Sequence, residues 1–269
     1  VYDSIGPLPK DRPIKELCVF QILPHWPDYT SGVPRLGKPN AANGRAFLGT
    51  VPVEEDGSAH FRVPAGKPLY FQAVDADGKA VRTMMSEVYL QPGENRGCVG
   101  CHEQVHTASE NFPAQKKAFQ RAPSEMTPGP EGTAPFSFPV FLQPIIDRKC
   151  AACHSGAEDG VRPDLRGAVE HGVFSVAYNS LTEYTRWYQW GGDTIAPITS
   201  LPGEGSADMS RLTAILDDGN HGEKIGLTDA DRRAFYLWMD ANVPFYGTGE
   251  SETRAAELEG KPVPMPPVQ

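Results

Sequence analysis

The sequence predicts an α+β protein: an N-terminal antiparallel β-sandwich-like unit over residues 1–97 and a mostly α-helical unit over 136–250. Three observations carry this. Residues 16–90 hold short apolar and β-branched runs, parted by turn chemistry roughly every eight to twelve residues, the rhythm of a small antiparallel sandwich. After Thr228, apolar residues recur at three- and four-residue spacing, the period of a helix packed on one side. Between the two units, residues 103–135 are poor in apolar periodicity and rich in Pro, Gly, Ser and Thr, as a linker or wrapping loop would be.

Taken in order, strands are expected over 16–23, ended by Pro24, and over 46–53, 59–63, 68–74 and 80–90. Glu55-Asp56-Gly57-Ser58, Pro64-Ala65-Gly66-Lys67 and Asp75-Ala76-Asp77-Gly78-Lys79 supply the turns. Cys18, inside Leu17-Cys18-Val19-Phe20, reads as a buried strand residue. Gln91-Pro92-Gly93-Glu94-Asn95 then breaks the pattern. A short helix with Pro near its start is expected over 138–149. Thr228 reads as an N-cap with Asp231 three residues on, opening a helix that buries Ala234, Phe235, Trp238 and Ala241 and stops at Asn242-Val243-Pro244. The tail, 251–269, is acidic and then Pro-rich, and reads as extended.

Composition narrows the function. The chain has 269 residues, 39% hydrophobic and 22% charged, enough to bury a core in two units. No run of apolar residues is long enough to span a bilayer. A net charge of -9 disfavours nucleic acid and anionic lipid as partners.

The chemistry lies in the cysteines. Cys98-Val99-Gly100-Cys101-His102 and Cys150-Ala151-Ala152-Cys153-His154 are two copies of Cys-x-x-Cys-His, a string that chance would produce about 0.002 times in a chain of this composition. Two thiols three residues apart can each form a thioether to one vinyl group of a haem, and the histidine next in the chain can reach the iron. A four-cysteine zinc site would leave both histidines unexplained, with 48 residues between the pairs. A thioredoxin-like disulfide needs a βαβ pattern that is absent. The reading is therefore two covalently bound haem c groups, held by Cys98 and Cys101 and by Cys150 and Cys153. A helix before the second motif and an aromatic one at the end give the second unit a cytochrome c-like character. Such attachment occurs outside the cytoplasmic membrane, so a periplasmic or extracellular location is expected. The sequence begins at Val1 without a signal peptide, so a removed leader or a longer parent chain is expected.

His102 and His154 are the expected proximal iron ligands. His25, His60, His106, His171, His221 and the methionines could complete the irons. His221, on a loop just before the closing helix and sixty-seven residues after His154, is favoured for the second haem, ahead of Met209, Met84 and Met126. For the first haem the order is His25, then His106, then an open position; His106 falls four residues after His102, on the same side of any helix. Tyr178, Tyr184, Trp187, Tyr188 and Trp190 read first as core around the second porphyrin.

The stretch from Gly49-Thr50-Val51-Pro52-Val53-Glu54-Glu55-Asp56-Gly57-Ser58 through Tyr70-Phe71-Gln72-Ala73 and Gln91-Pro92-Gly93-Glu94 to Cys98 closely resembles the haem-bearing middle domain of hydrazine synthase alpha-subunit-related proteins. Residues 139–154 and 237–247 resemble their C-terminal cytochrome c domain, also found in planctomycete-type cytochromes. The resemblance implies a β-rich domain with the first haem over 1–97 and 98–135, a helical domain with the second over 136–250, and a Pro-rich tail. It also implies a histidine at the position of His221 paired with the motif histidine. In those relatives a propeller-like domain precedes this part. The resembling enzyme carries a tyrosine four residues past its first motif histidine, and that histidine holds zinc; here the position is His106.

These readings point to a dihaem c-type cytochrome that carries electrons between redox partner proteins rather than an enzyme. One alternative is a haem enzyme, or a fragment of one, related to hydrazine synthase and acting on small nitrogen or oxygen species at the first haem. Another is a haem module of a homo-oligomer, a larger complex or a cytochrome polymer. No Gly-x-Ser-x-Gly string supports a hydrolase.

Overall fold

The structure is a computed structural model and describes residues 12–24, 35–39, 43–84, 86–98, 115–129, 132–156, 162–187 and 206–266. Its centre is one antiparallel six-stranded sheet. Strand β1 (Glu16–Ile22) lies between β2 (Arg45–Pro52) and β3 (Pro68–Val74). Strand β4 (Ala80–Thr83) flanks β3, β5 (Val88–Tyr89) also pairs with β3, and β6 (Ala134–Pro135) flanks β2. Because β1 is central, both its faces are covered, and Cys18, Val19, Phe20 and Gln21 are all buried. A continuous apolar run is what such a strand needs.

The β3–β4 turn is built as its sequence suggests. The Asp75 carboxylate accepts the backbone N–H groups of Asp77 and Lys79, both at 3.0 Å, and Gly78 takes a positive φ of 82°. Strand β2 bulges opposite Val19, where Gly49 lets the carbonyl of Thr127 approach; a Cβ there would lie 2.4 Å from that oxygen. The run 59–63 does not form a ladder strand. It makes one isolated bridge, Phe61 to Ser124, and 80–90 breaks into two short strands.

The expected fold class is overturned in both halves. No second sheet closes a sandwich among the described residues. One sheet face carries Cys18, Phe20, Tyr70, Val74 and Ala80; the other carries Val19, Leu23, Ala46, Leu48 and Leu69, covered by the irregular segments that bear Phe61, Val63, Met126 and Met265. Nor, among the described residues of 136–250, does a mostly helical, cytochrome c-like unit form. The helices there are α1 (Phe138–Phe141), α2 (Gln143–Lys149), α3 (Val176–Thr182), α4 (Ser206–Met209), α5 (Arg211–Asp217), α6 (Gly219–Ile225) and α7 (Asp229–Asp240), with α8 (Arg254–Leu258) in the tail. Among them only α7, at 12 residues, exceeds two turns. Proline at the start of α1 and again of α2 splits what the sequence suggested as one helix.

Helix α7 explains why the parts form one body. Its capping box is complete, with the Thr228 hydroxyl accepting the Asp231 N–H and the Asp231 carboxylate accepting the Thr228 N–H. Phe235, Trp238 and Met239 enter a core shared with Phe138, Leu142, Ile146, Tyr178 and Phe245, while Leu237 and Ala241 pack on the sheet. The helix thus has two buried sides rather than one. Asp240, at its C-terminal end, accepts the N–H groups of Ala80 and Ala207, both at 2.9 Å, joining β4, α4 and α7. Past the helix, Asn242 and Val243 take φ of 65° and 47°. Tyr178 steadies that left-handed pair by donating its hydroxyl to the Val243 carbonyl at 2.7 Å. No helix among the described residues is long and apolar enough to cross a membrane.

Candidate haem site

The second Cys-x-x-Cys-His motif continues the last turn of α2. The Cys150 N–H reaches the Ile146 carbonyl at 2.7 Å, Cys153 N–H reaches the Cys150 carbonyl at 3.1 Å, and His154 N–H reaches the same carbonyl at 3.1 Å. Residues 150, 153 and 154 therefore share one side of a helical turn. Cys150 is buried and Cys153 is exposed, and both are free thiols. Burial pushes the Cys150 thiol up to about 11, with Asp231 and Asp147 adding to the rise.

The segment 163–165 orients His154. Its Nδ1 lies 2.9 Å from the Pro163 carbonyl, and its own carbonyl accepts the Leu165 N–H at 2.8 Å. A carbonyl can only accept, so Nδ1 carries the proton and Nε2 keeps the lone pair available to a metal.

Facing it is His221, half-buried on α6. The two ring centroids lie 6.4 Å apart with planes at 79°. A metal–nitrogen bond is about 2 Å and a ring nitrogen lies roughly 1.2 Å from its centroid, so two imidazoles in line across one metal ion would have centroids about 6.4 Å apart. The observed spacing equals that span, and at 79° it is also the geometry of an edge-to-face ring pair. The Nδ1 of His221 is buried without a hydrogen-bond partner among the described residues. Helix α6 is held in place at its far end, where Lys149 Nζ donates to the Gly226 carbonyl at 2.7 Å and Arg232 to that of Leu227 at 3.0 Å. These features fit a haem c tethered at Cys150 and Cys153. Among the described residues no group of three or more His, Cys, Asp or Glu converges as on a metal ion.

The remaining candidates separate cleanly. Met209 is exposed on α4, 47% of its surface reaching solvent, while Met84 and Met126 pack on opposite faces of the sheet. His60 stacks on Phe119, ring centroids 4.8 Å apart, and His171 is exposed. Cys18 is buried in the sheet, its thiol pushed up to about 12 by desolvation. Tyr178 is core, whereas Tyr184 and Trp187 are only partly buried against it. Of the first motif the structure describes Cys98 alone, which is exposed; Cys101, His102, His106 and His25, with Tyr188 and Trp190, lie outside the described residues. Sequence reasoning missed Pro163, whose contribution is a backbone carbonyl, and Asp240, whose burial between β4, α4 and α7 has no local signal.

Residues 19–103 match the model of the hydrazine synthase alpha subunit middle domain. The hydrazine synthase subunit alpha of Kuenenia stuttgartiensis is 27% identical over an alignment covering 73% of this chain and 32% of its own. A chain of the solved Kuenenia stuttgartiensis hydrazine synthase superposes with a TM-score of 0.62 at 22% identity, over 92% of this chain and 42% of that one. The sheet with its coat of short helices is thus a fold shared with hydrazine synthase chains. The chain is similar to the hydrazine synthase alpha subunit, and it spans about a third of the length of the curated relative that it matches.

Proposed function

We propose that this chain is the haem-bearing part of a haem oxidoreductase related to hydrazine synthase. It would hold two haem c groups: one at Cys98 and Cys101, where small nitrogen or oxygen species react, and one at Cys150 and Cys153, which relays electrons. The observation that carries the relay is the His154–His221 pair, whose spacing suits two imidazoles on one iron and leaves no position for substrate. The relationship to the alpha subunit supports a reaction at the first haem rather than a simple carrier. Haem iron supplies one-electron redox chemistry when bound.

The chain's own residues set the terms of that chemistry. Cys150 and Cys153 would tether the second haem, His154 presents Nε2 because Pro163 holds its Nδ1 proton, and His221 presents the opposing ring from α6. His102 would be the proximal ligand of the first haem. His25 and His106 remain candidate ligands of that haem, and a reaction there would require that neither holds the iron permanently. Attachment of haem c would put the work outside the cytoplasmic membrane, and similarity to a named subunit of hydrazine synthase favours redox partners within a larger assembly.

The test is expression in a host that attaches haem c, and then spectroscopy. The expected protein carries two haems: one low-spin and indifferent to carbon monoxide, the other binding it, with consumption of nitric oxide or hydroxylamine under reducing conditions. Two low-spin irons that both refuse carbon monoxide, without turnover, would establish a dihaem electron carrier instead. A colourless polypeptide would overturn both.

A further inference from the structure

The segment that supplies the Pro163 carbonyl has no regular structure, so something outside the motif must hold it against His154. Gln143, the first residue of α2, does so. It is buried, and its Nε2 donates to the Leu165 carbonyl at 3.2 Å and to the Asp147 carboxylate at 2.8 Å. Both partners only accept, which fixes the amide's orientation; its Oε1 is left buried without a partner among the described residues. Leaving a buried acceptor unmade destabilises the fold, a penalty that a methionine of similar shape would avoid. The amide therefore serves its donors.

The links continue to the ring. Leu165 donates its N–H to the His154 carbonyl at 2.8 Å, and two residues earlier Pro163 accepts from His154 Nδ1 at 2.9 Å. On the other side, Gly167 presses on Gln143: a Cβ at Gly167 would meet the side-chain Cγ and Cδ at 3.0 Å and Nε2 at 3.2 Å. The segment 163–167 is thus a strap across the start of α2, held by the Gln143 side chain and by the Ala177 N–H on the Arg166 carbonyl at 3.0 Å, and its distance from α2 sets how strongly Pro163 polarises His154.

We propose that Gln143 is a positioning residue for the electron-relay haem: by holding the 163–167 strap it tunes the donor strength of His154 and so the reduction potential of the iron that His154 would bind. This rests on the reading of a haem held by His154 and His221. A hydrogen bond from Nδ1–H to a carbonyl makes the imidazole a stronger donor and favours the oxidised iron, so loosening it shifts the potential upward.

The experiment uses the full haem-loaded chain. In Gln143→Met the reduction equilibrium of the low-spin haem should favour the reduced form by up to about tenfold, equivalent to ~59 mV for one electron. The first haem should not move, and exchange protection of the Leu165 amide should fall. Gly167→Ala, which crowds the same amide without removing it, should shift the low-spin potential in the same direction by less; it keeps the question answerable if Gln143→Met does not fold. Unchanged low-spin potentials in a folded, fully loaded variant overturn the proposal. Equal shifts at both haems overturn it as well, since they report general loosening. If the unsubstituted protein lacks a low-spin haem coordinated by two histidines, the relay reading itself has failed, a result that is distinct from either outcome.

Discussion

Asp240 gives a sharp prediction about the junction that carries the candidate site. Its carboxyl is buried between β4, α4 and α7. Burial pushes it up to about 7 from an ordinary 3.8; the N–H groups of Ala207 and Ala80 oppose the rise, and Asp208 and Asp75 add to it. Arg12 faces the same cluster, bound to both Asp75 and Asp208, and Lys79 lies beyond. A raised carboxyl binds its proton more tightly in the folded state, so its contribution to stability is complete below pH 4 and is lost as pH rises to about 7. About three pH units at 1.36 kcal/mol each give a loss of roughly 4 kcal/mol. Asp240→Asn removes the titration at the cost of one acceptor, about 1–3 kcal/mol. Denaturant unfolding of both proteins between about pH 4 and 8 is the assay. The advantage of the native protein over the variant should shrink steadily up to about pH 7 and then stay level. A difference that is constant, or grows with pH, would refute the argument that this carboxyl is protonated by its surroundings.

Other positions give further expected outcomes. On the proposed reading, His221→Ala should open the iron held at Cys150 and Cys153 to carbon monoxide, and free imidazole should restore a low-spin spectrum; a spectrum unchanged by the substitution would remove His221 from the site. Thr228→Ala removes the accepting half of the α7 capping box and should lower stability by about 1 kcal/mol, read as a reduced denaturation midpoint. Arg82 is buried in β4, with its Nε lacking a partner among the described residues. Arg82→Met should therefore leave stability unchanged or raise it by about 1 kcal/mol, and a loss beyond about 2 kcal/mol would reveal an ion pair.

Much of the local structure was legible because its causes are local. Strands at 16–23, 46–53 and 68–74 arise from apolar runs bounded by turns, and their edges fall within a residue or so of Glu16–Ile22, Arg45–Pro52 and Pro68–Val74. The α7 start was legible in Thr228 and Asp231, because a capping box uses side chains three residues apart. His221, expected at the site from its place before that helix, lies opposite His154 in the structure. What failed was assembly. Helical spacing in Phe235 and Trp238 reveals one buried side of α7, but Leu237 and Ala241 on another side signal nothing until β1 and β3 are in place. A second sheet was expected because nothing in 59–63 reveals that its neighbour Ser124 comes from an irregular segment sixty residues on.

That shared packing has a consequence for how the site works. The two facing histidines ride on separate supports: His154 on α2 and its strap, His221 on the two-turn helix α6. Two turns of helix have little stability of their own in water. Helix α6 therefore takes its position from its neighbours: from α5, which it packs against, from α7, through Arg232 and the Leu227 carbonyl, and from α2, through Lys149 and the Gly226 carbonyl. Helix α7 in turn is seated on the sheet by Leu237, Ala241 and Asp240. The distance between the imidazoles is thus set partly by strands that contribute no ligand to this candidate site. Substitutions in the sheet face, at Phe20 or Tyr70 for example, should alter the spectrum of the haem proposed at His154 and His221 before they unfold the chain, whereas an independently folded helical unit would show no such coupling.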